Sequence, residues 1–523
     1  MMALSVELFD STLRDGAQGE GVSFSVEDKL GIVKALDELG IPYIEAGNPG
    51  SNPKDLEFFK RAHKLDLKHA QLVAFGSTRR KNCIAADDTN LKALVNAGTK
   101  AVAVFGKCWL LHVREILSTT AQENFRMISD TCRYLKEQGK TVFFDAEHFF
   151  DGYKDDPEFA LSALKAANEA GADRLVLCDT NGGCMPGEID KIMKDVCKRF
   201  PGKVGIHTHN DRGMAVANSV VAVQAGAVQV QGTFLGFGER CGNANLSTVI
   251  PNLQLACGYP CIPQENLPRL TETARRIAEI SNISIKKNEP FVGISAFAHK
   301  AGMHADGVLK LSRSFEHVSP EAVGNERRFL MSEISGRTQI LEKIRKIDPG
   351  ITKDSPETAK ILKELKRLEQ EGYQFEAADS SFEMLIRKNL GAYKPFFEMN
   401  NYKIVTGRPC EQDFSATATV KIRVGDKDQL MAAEGNGPIN ALDKALRAAL
   451  EVFYPSLRKM RLIDYKVRVM DSKQATAAVT RVLITSTDGS RVWTTVGVSA
   501  DVVEASRLAL TESIEYKLIQ DAV

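Results

Sequence analysis

The sequence predicts an α/β protein. The expected architecture is a (β/α)₈ TIM barrel, then helical linker subdomains, then a C-terminal α+β domain with an internal repeat. Three observations carry this. Eight apolar, β-branched segments alternate with polar or amphipathic stretches through the first part of the chain, and eight such units in about 250 residues match the barrel. Polar residues gather at corresponding ends of those segments. After residue 260 the alternation stops, and residues 395–523 run twice through strands, a turn, a strand, a Gly-bearing junction and an Ala/Leu-rich helix. An open doubly wound sheet is the alternative for the first part, but it would usually change pattern after fewer strands.

The first strand candidate is VELFDST. A helix follows, opened by the capping signal Ser25-Val26-Glu27-Asp28 and continued by KLGIVKALDELG. YIEAG, HAQLVAFG, AVAVFGK, TVFFDAE, RLVLCDT, KVGIHTH and VQVQGTFLG are the next seven strands. Strands this apolar, joined by helical crossovers, form parallel sheets covered on both faces. The expected domains are a barrel over 1–275, linker or lid subdomains over 276–394 and a C-terminal domain over 395–523. Within the linker, ILEKIRKI and ETAKILKELKRLEQ are charged helices whose charges read as solvated faces. In the repeat, Gly435–Pro438 and Gly497–Ala500 precede the two helices. Such junctions offer free N–H groups to a carboxylate, or serve only for tight strand-to-helix packing.

Bulk composition narrows the partners. With 68 basic and 67 acidic residues the formal charge is +1, so charge suggests neither a nucleic-acid nor a membrane partner. The start, MMALSVELFDST, lacks a signal-peptide layout, and ten scattered cysteines without a CxxC pair fit reduced thiols in the cytoplasm.

Barrel enzymes work at the C-terminal ends of the strands. There the sequence places Thr12, Arg14 and Asp15 after strand one, Glu45 on strand two, and Asp145 and Glu147 on strand five. Asp179, Thr180 and Asn181 follow strand six, and GIHTHNDRG closes strand seven. Only nine histidines occur in the chain, yet His207 and His209 stand two apart, where strand alternation puts them on one face. They are two ligands of one ion, or two hydrogen-bonded structural histidines. As ligands, with Asp15 as the third and Asn243 adding an amide oxygen, they suit Mg²⁺, Mn²⁺ or Zn²⁺. Such an ion can chelate and polarise a 2-oxo acid. Arg14 could stabilise a developing alkoxide or be a surface ion-pair residue. Glu147 could orient water or Arg14, or take a proton. Thr180 could donate to a substrate carboxylate. His304, in AGMHADG outside the barrel, is a general base delivered by a lid or a structural histidine.

DSTLRDGAQ, HTHND, GFGERCGNANL and KAGMHADGV, in this order, resemble the acetyl-CoA-dependent 2-oxo-acid synthases of the DRE-TIM metallolyases. That family includes the isopropylmalate, homocitrate and citramalate synthases, and the resemblance covers nearly the whole chain. It implies that Asp15, His207 and His209 are metal ligands with Asn243 at or next to the ion. It implies that Arg14 and Glu147 are the arginine and glutamate of the superfamily's name, that Thr180 contacts the 2-oxo acid's carboxylate, and that His304 enolises acetyl-CoA. GNGPINA resembles the segment where an inhibitory amino acid binds, making the C-terminal domain regulatory. The implied reaction is a Claisen-type condensation with acetyl-CoA as co-substrate, and the implied assembly is a homodimer. The opening LFDSTLRDGAQGEGVSFS and the long chain most resemble the branch using pyruvate, with isoleucine as inhibitor. The alternative is 2-oxoisovalerate with leucine. One departure is Phe315, in SRSFE, where relatives often carry a tyrosine. A hydroxymethylglutaryl-CoA lyase-like enzyme would need a catalytic cysteine loop, for which Cys241 is the candidate. An amino-acid sensor on an inactive barrel would have lost the ligands or Arg14.

Overall fold

The computed structural model describes residues 5–299, 302–329, 337–352, 355–407, 415–470, 478–489 and 491–522. Two compact units result: Met1–Phe297 with His317–Arg327, and Ala298–Glu316 with Arg328–Val523.

The first unit is the expected closed barrel of eight parallel strands. They are β1 (Glu7–Asp10), β2 (Tyr43–Gly47), β3 (Gln71–Ser77), β4 (Ala101–Lys107), β5 (Thr141–Glu147), β6 (Arg174–Asp179), β7 (Val204–Thr208) and β8 (Gln229–Gly232). Neighbours in sequence are neighbours in space, and β8 closes on β1 from Glu7↔Gln229 to Asp10↔Gly232. Both faces of the strands are apolar because both are covered. Outward residues such as Leu8, Ile44, Val102 and Leu175 pack under the helices. Inward, Phe9, Val73, Ala101, Ala103 and Phe143 fill the barrel, the Phe143 ring lying 5.3 Å from Phe9 and 4.9 Å from Tyr43. Each such ring contributes about 1.5–3 kcal/mol on burial.

The first helix, Val26–Leu39, starts where its cap predicts: Ser25 Oγ accepts from the Asp28 N–H, and the Asp28 carboxylate accepts from the Ser25 N–H. Two strand ends differ from the sequence reading. β7 stops at Thr208, leaving His209 just beyond it, and β8 stops at Gly232 rather than running through GTFLG. The chain folds back at this point: a Cβ on Gly232 would lie 2.5 Å from the Ala244 carbonyl oxygen. The returning segment takes the place where β8 would continue, and Phe234–Gly236 form a 3₁₀ turn.

In the second unit the charged helices Arg337–Ile347 and Pro356–Gln370 bury an apolar stripe, including Ile344, Ile361 and Leu365, against Phe382 and Ile386. The C-terminal repeat is real. Strands 398–407, 415–424 and 427–435 form an antiparallel sheet followed by helix Pro438–Glu451. Strands 461–469, 480–487 and 492–499 do the same before helix Val502–Ala522. Each repeat has a register shift near the start of its first strand, at Met399/Asn401 and at Leu462/Asp464. Among the described residues no helix is long and apolar enough to cross a membrane.

Candidate active site at the barrel mouth

Arg14, Asp15, Glu147, Thr180, His207 and His209 line one cavity of about 270 Å³ at the C-terminal ends of the strands. Asn243 stands behind it, its Nδ2 donating to Asp15 Oδ2 at 2.8 Å. His304 is not among them. It belongs to the second unit, on helix Gly302–Lys310, exposed, with its ring 4.8 Å from that of Phe315.

Asp15, His207 and His209 are buried and form a tight group. Asp15 Oδ2 is 3.2 Å from His207 Nε2 and 3.8 Å from His209 Nε2, and the two imidazole nitrogens are 3.3 Å apart. Ligands about 2.1 Å from a single ion stand roughly 3.0–3.4 Å from one another. The spacing and the nitrogen/oxygen donors therefore fit one divalent cation. Asn243 Oδ1 and His209 Nδ1 are buried without a hydrogen bond among the described residues, so an amide flip would offer an oxygen donor to the same point. His209 reaches the group although it lies beyond β7, because it pairs in an isolated antiparallel bridge with Asn243. The glycines of GFGERCGN make that return possible. Gly236, Gly238 and Gly242 all have positive φ, and a Cβ on Gly242 would lie 1.9 Å from the Gly236 carbonyl oxygen.

Burial opposes the charge of Asp15, but Arg14, His207 and His209 outweigh it and hold the carboxyl below its usual range. Burial and then the charge of His207 push His209 down to about 4, so its imidazole is neutral. Arg14 is held on three sides. Its Nε donates to Glu45 Oε2 at 2.7 Å, a terminal nitrogen lies 3.4 Å from Asp15, and its guanidinium lies 3.8 Å from the Phe75 ring centroid. Burial disfavours its charge; Glu45 and Asp15 more than restore it. The carboxylate that orients Arg14 is thus Glu45, itself fully buried and bonded to Ser11, whereas Glu147 is ion-paired with Lys107. Sequence reasoning placed Glu45 at a strand end without a role; only side-chain geometry assigns the partner.

Thr180 Oγ1 accepts from the His148 N–H at 2.9 Å, which leaves its own O–H to donate elsewhere. Phe75 and Phe105, stacked 5.5 Å apart, give the cavity an apolar wall. Asp145 also lines it, pushed up to about 7 by burial and then by Glu45. Arg240 reaches the rim, where it clasps Asp211 through two bonds of 2.8 and 3.0 Å and donates to the Thr180 carbonyl at 2.7 Å. Phe75 carried no sequence signal of function, and Arg240 was part of the motif GFGERCGNANL without a role of its own.

A barrel with this cluster at its mouth defines a class: residues 5–277 match the HMGL-like family. Residues 291–373 match the homocitrate synthase post-HMGL domain-like family, and residues 376–518 the LeuA allosteric (dimerisation) domain. An (R)-citramalate synthase of Aquifex aeolicus is 52% identical over 522 residues, covering 99% of each chain. One from Synechocystis is 50% identical, covering 98% of this chain and 96% of that one. A probable 2-isopropylmalate synthase of Methanopyrus kandleri is 31% identical, covering 97% of each. The chain belongs to the (R)-citramalate synthase family, and it is an enzyme.

Proposed function

We propose that the chain condenses acetyl-CoA with pyruvate to give (R)-citramalate and CoA. The observation that carries the substrate is the relatives themselves: five (R)-citramalate synthases share 44–52% identity over at least 98% of this chain, whereas the 2-isopropylmalate synthases share 30–31%. The small apolar wall of Phe75 and Phe105 supports a methyl ketone.

Asp15, His207 and His209 would hold a divalent metal, Mg²⁺ or Mn²⁺ or else Zn²⁺, with Asn243 at its edge. When bound, that ion supplies Lewis-acid polarisation of the keto acid. The chain's own residues do the rest. Thr180 donates a hydrogen bond from its hydroxyl to the pyruvate carboxylate. Arg14, preorganised by Glu45 and Phe75, meets the negative charge that grows on the keto oxygen, and being already oriented it reorganises little. His304 takes a proton from the acetyl methyl group. The resulting enolate carbon forms the new bond to the keto carbon, and the keto oxygen is then protonated. Water adds to the thioester, and the C–S bond breaks to release CoA and a carboxylate. Glu147, ion-paired with Lys107, is placed to orient that water. Phe315 against His304 offers a ring face but no phenol, so no proton passes through that position.

The barrel of 1–275 is read as the catalytic domain and 395–523 as the sensor of an inhibitory amino acid. Isoleucine is the expected inhibitor because it shares the product's pathway logic, with leucine the alternative. The enzyme is read as a cytoplasmic homodimer, in keeping with its dimerisation-type C-terminal match. The test is CoA release from acetyl-CoA with Mg²⁺ or Mn²⁺ across pyruvate, 2-oxobutyrate, 2-oxoisovalerate and 2-oxoglutarate. Pyruvate should give the highest kcat/KM; a higher value for 2-oxoisovalerate would refute the assignment.

A further inference from the structure

We infer that Gln231, backed by Asp145, is a positioning residue that keeps His207 in the one tautomer able to bind a cation. This rests on the metal reading above. Gln231 and His207 are register partners on β8 and β7, so their side chains rise from neighbouring strands at the same level of the barrel. Gln231 is fully buried and does not line the cavity, so it is not a group that touches substrate. Its Oε1 is 3.0 Å from His207 Nδ1, and its Nε2 donates to Asp145 Oδ1 at 3.0 Å.

The three groups form a directional relay. When ionised, the Asp145 carboxylate only accepts, so it faces the amide NH₂; the amide oxygen, which also only accepts, is then left for His207. His207 must meet that oxygen with an N–H on Nδ1. A cation at this point requires His207 to be neutral, with one N–H, so with that N–H on Nδ1 the lone pair stays on Nε2, the atom 3.2 Å from Asp15 and 3.3 Å from His209. In the other tautomer an N–H would point at the place of the ion. The partner that fixes a ligating histidine in this way is usually a carboxylate or a backbone carbonyl. Here an amide transmits the preference of Asp145 from β5, across the barrel interior, to a ligand on β7. The burial of all three residues explains why the relay is built from side chains: water cannot fill the role, and each polar atom must find a partner inside the barrel.

The test is calorimetric titration of the metal-stripped full-length protein with Mn²⁺. Gln231→Leu should weaken binding about 10–100-fold, and Gln231→Glu, which retains an acceptor oxygen, should recover most of that loss. Gln231→Leu binding Mn²⁺ as wild type does, with an unchanged circular-dichroism spectrum, would overturn the proposal. Should Gln231→Leu fail to fold, the wild-type protein labelled with ¹⁵N-histidine answers instead. With Mg²⁺ bound, the His207 ring signal, identified by its loss in His207→Gln, should show the proton on Nδ1, and a proton on Nε2 with Nδ1 bare would overturn the inference. His209→Ala separates the two readings. If it keeps wild-type Mn²⁺ affinity, the metal site itself is misassigned and the relay falls with it; if it loses Mn²⁺ while Gln231→Leu keeps it, only the relay fails.

Discussion

Arg14 shows how much of a catalytic residue is its surroundings. An arginine after a strand is ordinarily a surface ion-pair residue, and here only the resemblance of its motif DSTLRDGAQ to a known family says otherwise. In the folded chain it is mostly buried, bonded to Glu45 and laid on Phe75. Breaking a buried pair of this kind by removing one partner costs about 3–5 kcal/mol, because the other charge is left uncompensated. Glu45→Ala should therefore lower the thermal unfolding temperature, and by letting the guanidinium drift it should cut kcat about 10²-fold. Thermal scans and saturating-substrate assays measure both. An unchanged kcat would mean that Asp15 and Phe75 suffice to aim Arg14. Lys107→Met offers the contrast, since it frees Glu147 without touching Arg14. It should reduce turnover while leaving the pyruvate KM within a few-fold, if Glu147 serves the later hydrolytic step.

At the scale of the element, the informative piece is the loop from Gly236 to Asn245. The sequence reading continued β8 as far as Gly236, where this loop begins, because VQVQGTFLG is apolar enough to be strand. The strand ends early because Gly232 lets the Ala244 carbonyl approach, and the loop then returns to place Asn243 beside Asp15 and opposite His209. At Gly242 the demand is strict: φ is +84°, and an added Cβ would overlap the Gly236 carbonyl oxygen. Gly242→Ala should distort this loop, at a backbone cost of about 1–3 kcal/mol plus the clash. The expected result is a large loss of Mn²⁺ affinity with barrel secondary structure intact, read by calorimetry and circular dichroism. By contrast, the helix Val26–Leu39 was legible to the residue at its start, because a capping box is written in adjacent positions and needs no distant partner.

At the scale of the whole molecule, the chain forms two compact units. The repeat in residues 395–523 was visible as sequence and folds as two three-stranded sheets, each with its own helix. Its separate apolar core, including Val420, Leu446, Val482 and Leu510, shows that it can hold together without barrel residues. Ending the chain near residue 395 should therefore remove isoleucine inhibition. Assays with and without isoleucine check this, and inhibition persisting in the shortened protein would place the sensor elsewhere. His304 belongs to this unit rather than to the barrel.

What the sequence determined by itself is everything carried by local period and by short motifs. The eight strands, the first helix cap, the C-terminal repeat and the pairing of His207 with His209 on one face arise from residues within a few positions of one another, or from alternation along one strand; Asp15 joined them only through the barrel pattern and the family resemblance. What only the tertiary structure decided is which side chains meet across strands: Glu45 rather than Glu147 on Arg14, Asn243 on Asp15, and Gln231 between His207 and Asp145. The reason is physical. A buried polar atom must find a partner, but the partner is chosen by the register and curvature of the closed sheet, which brings together residues up to 228 positions apart in the chain.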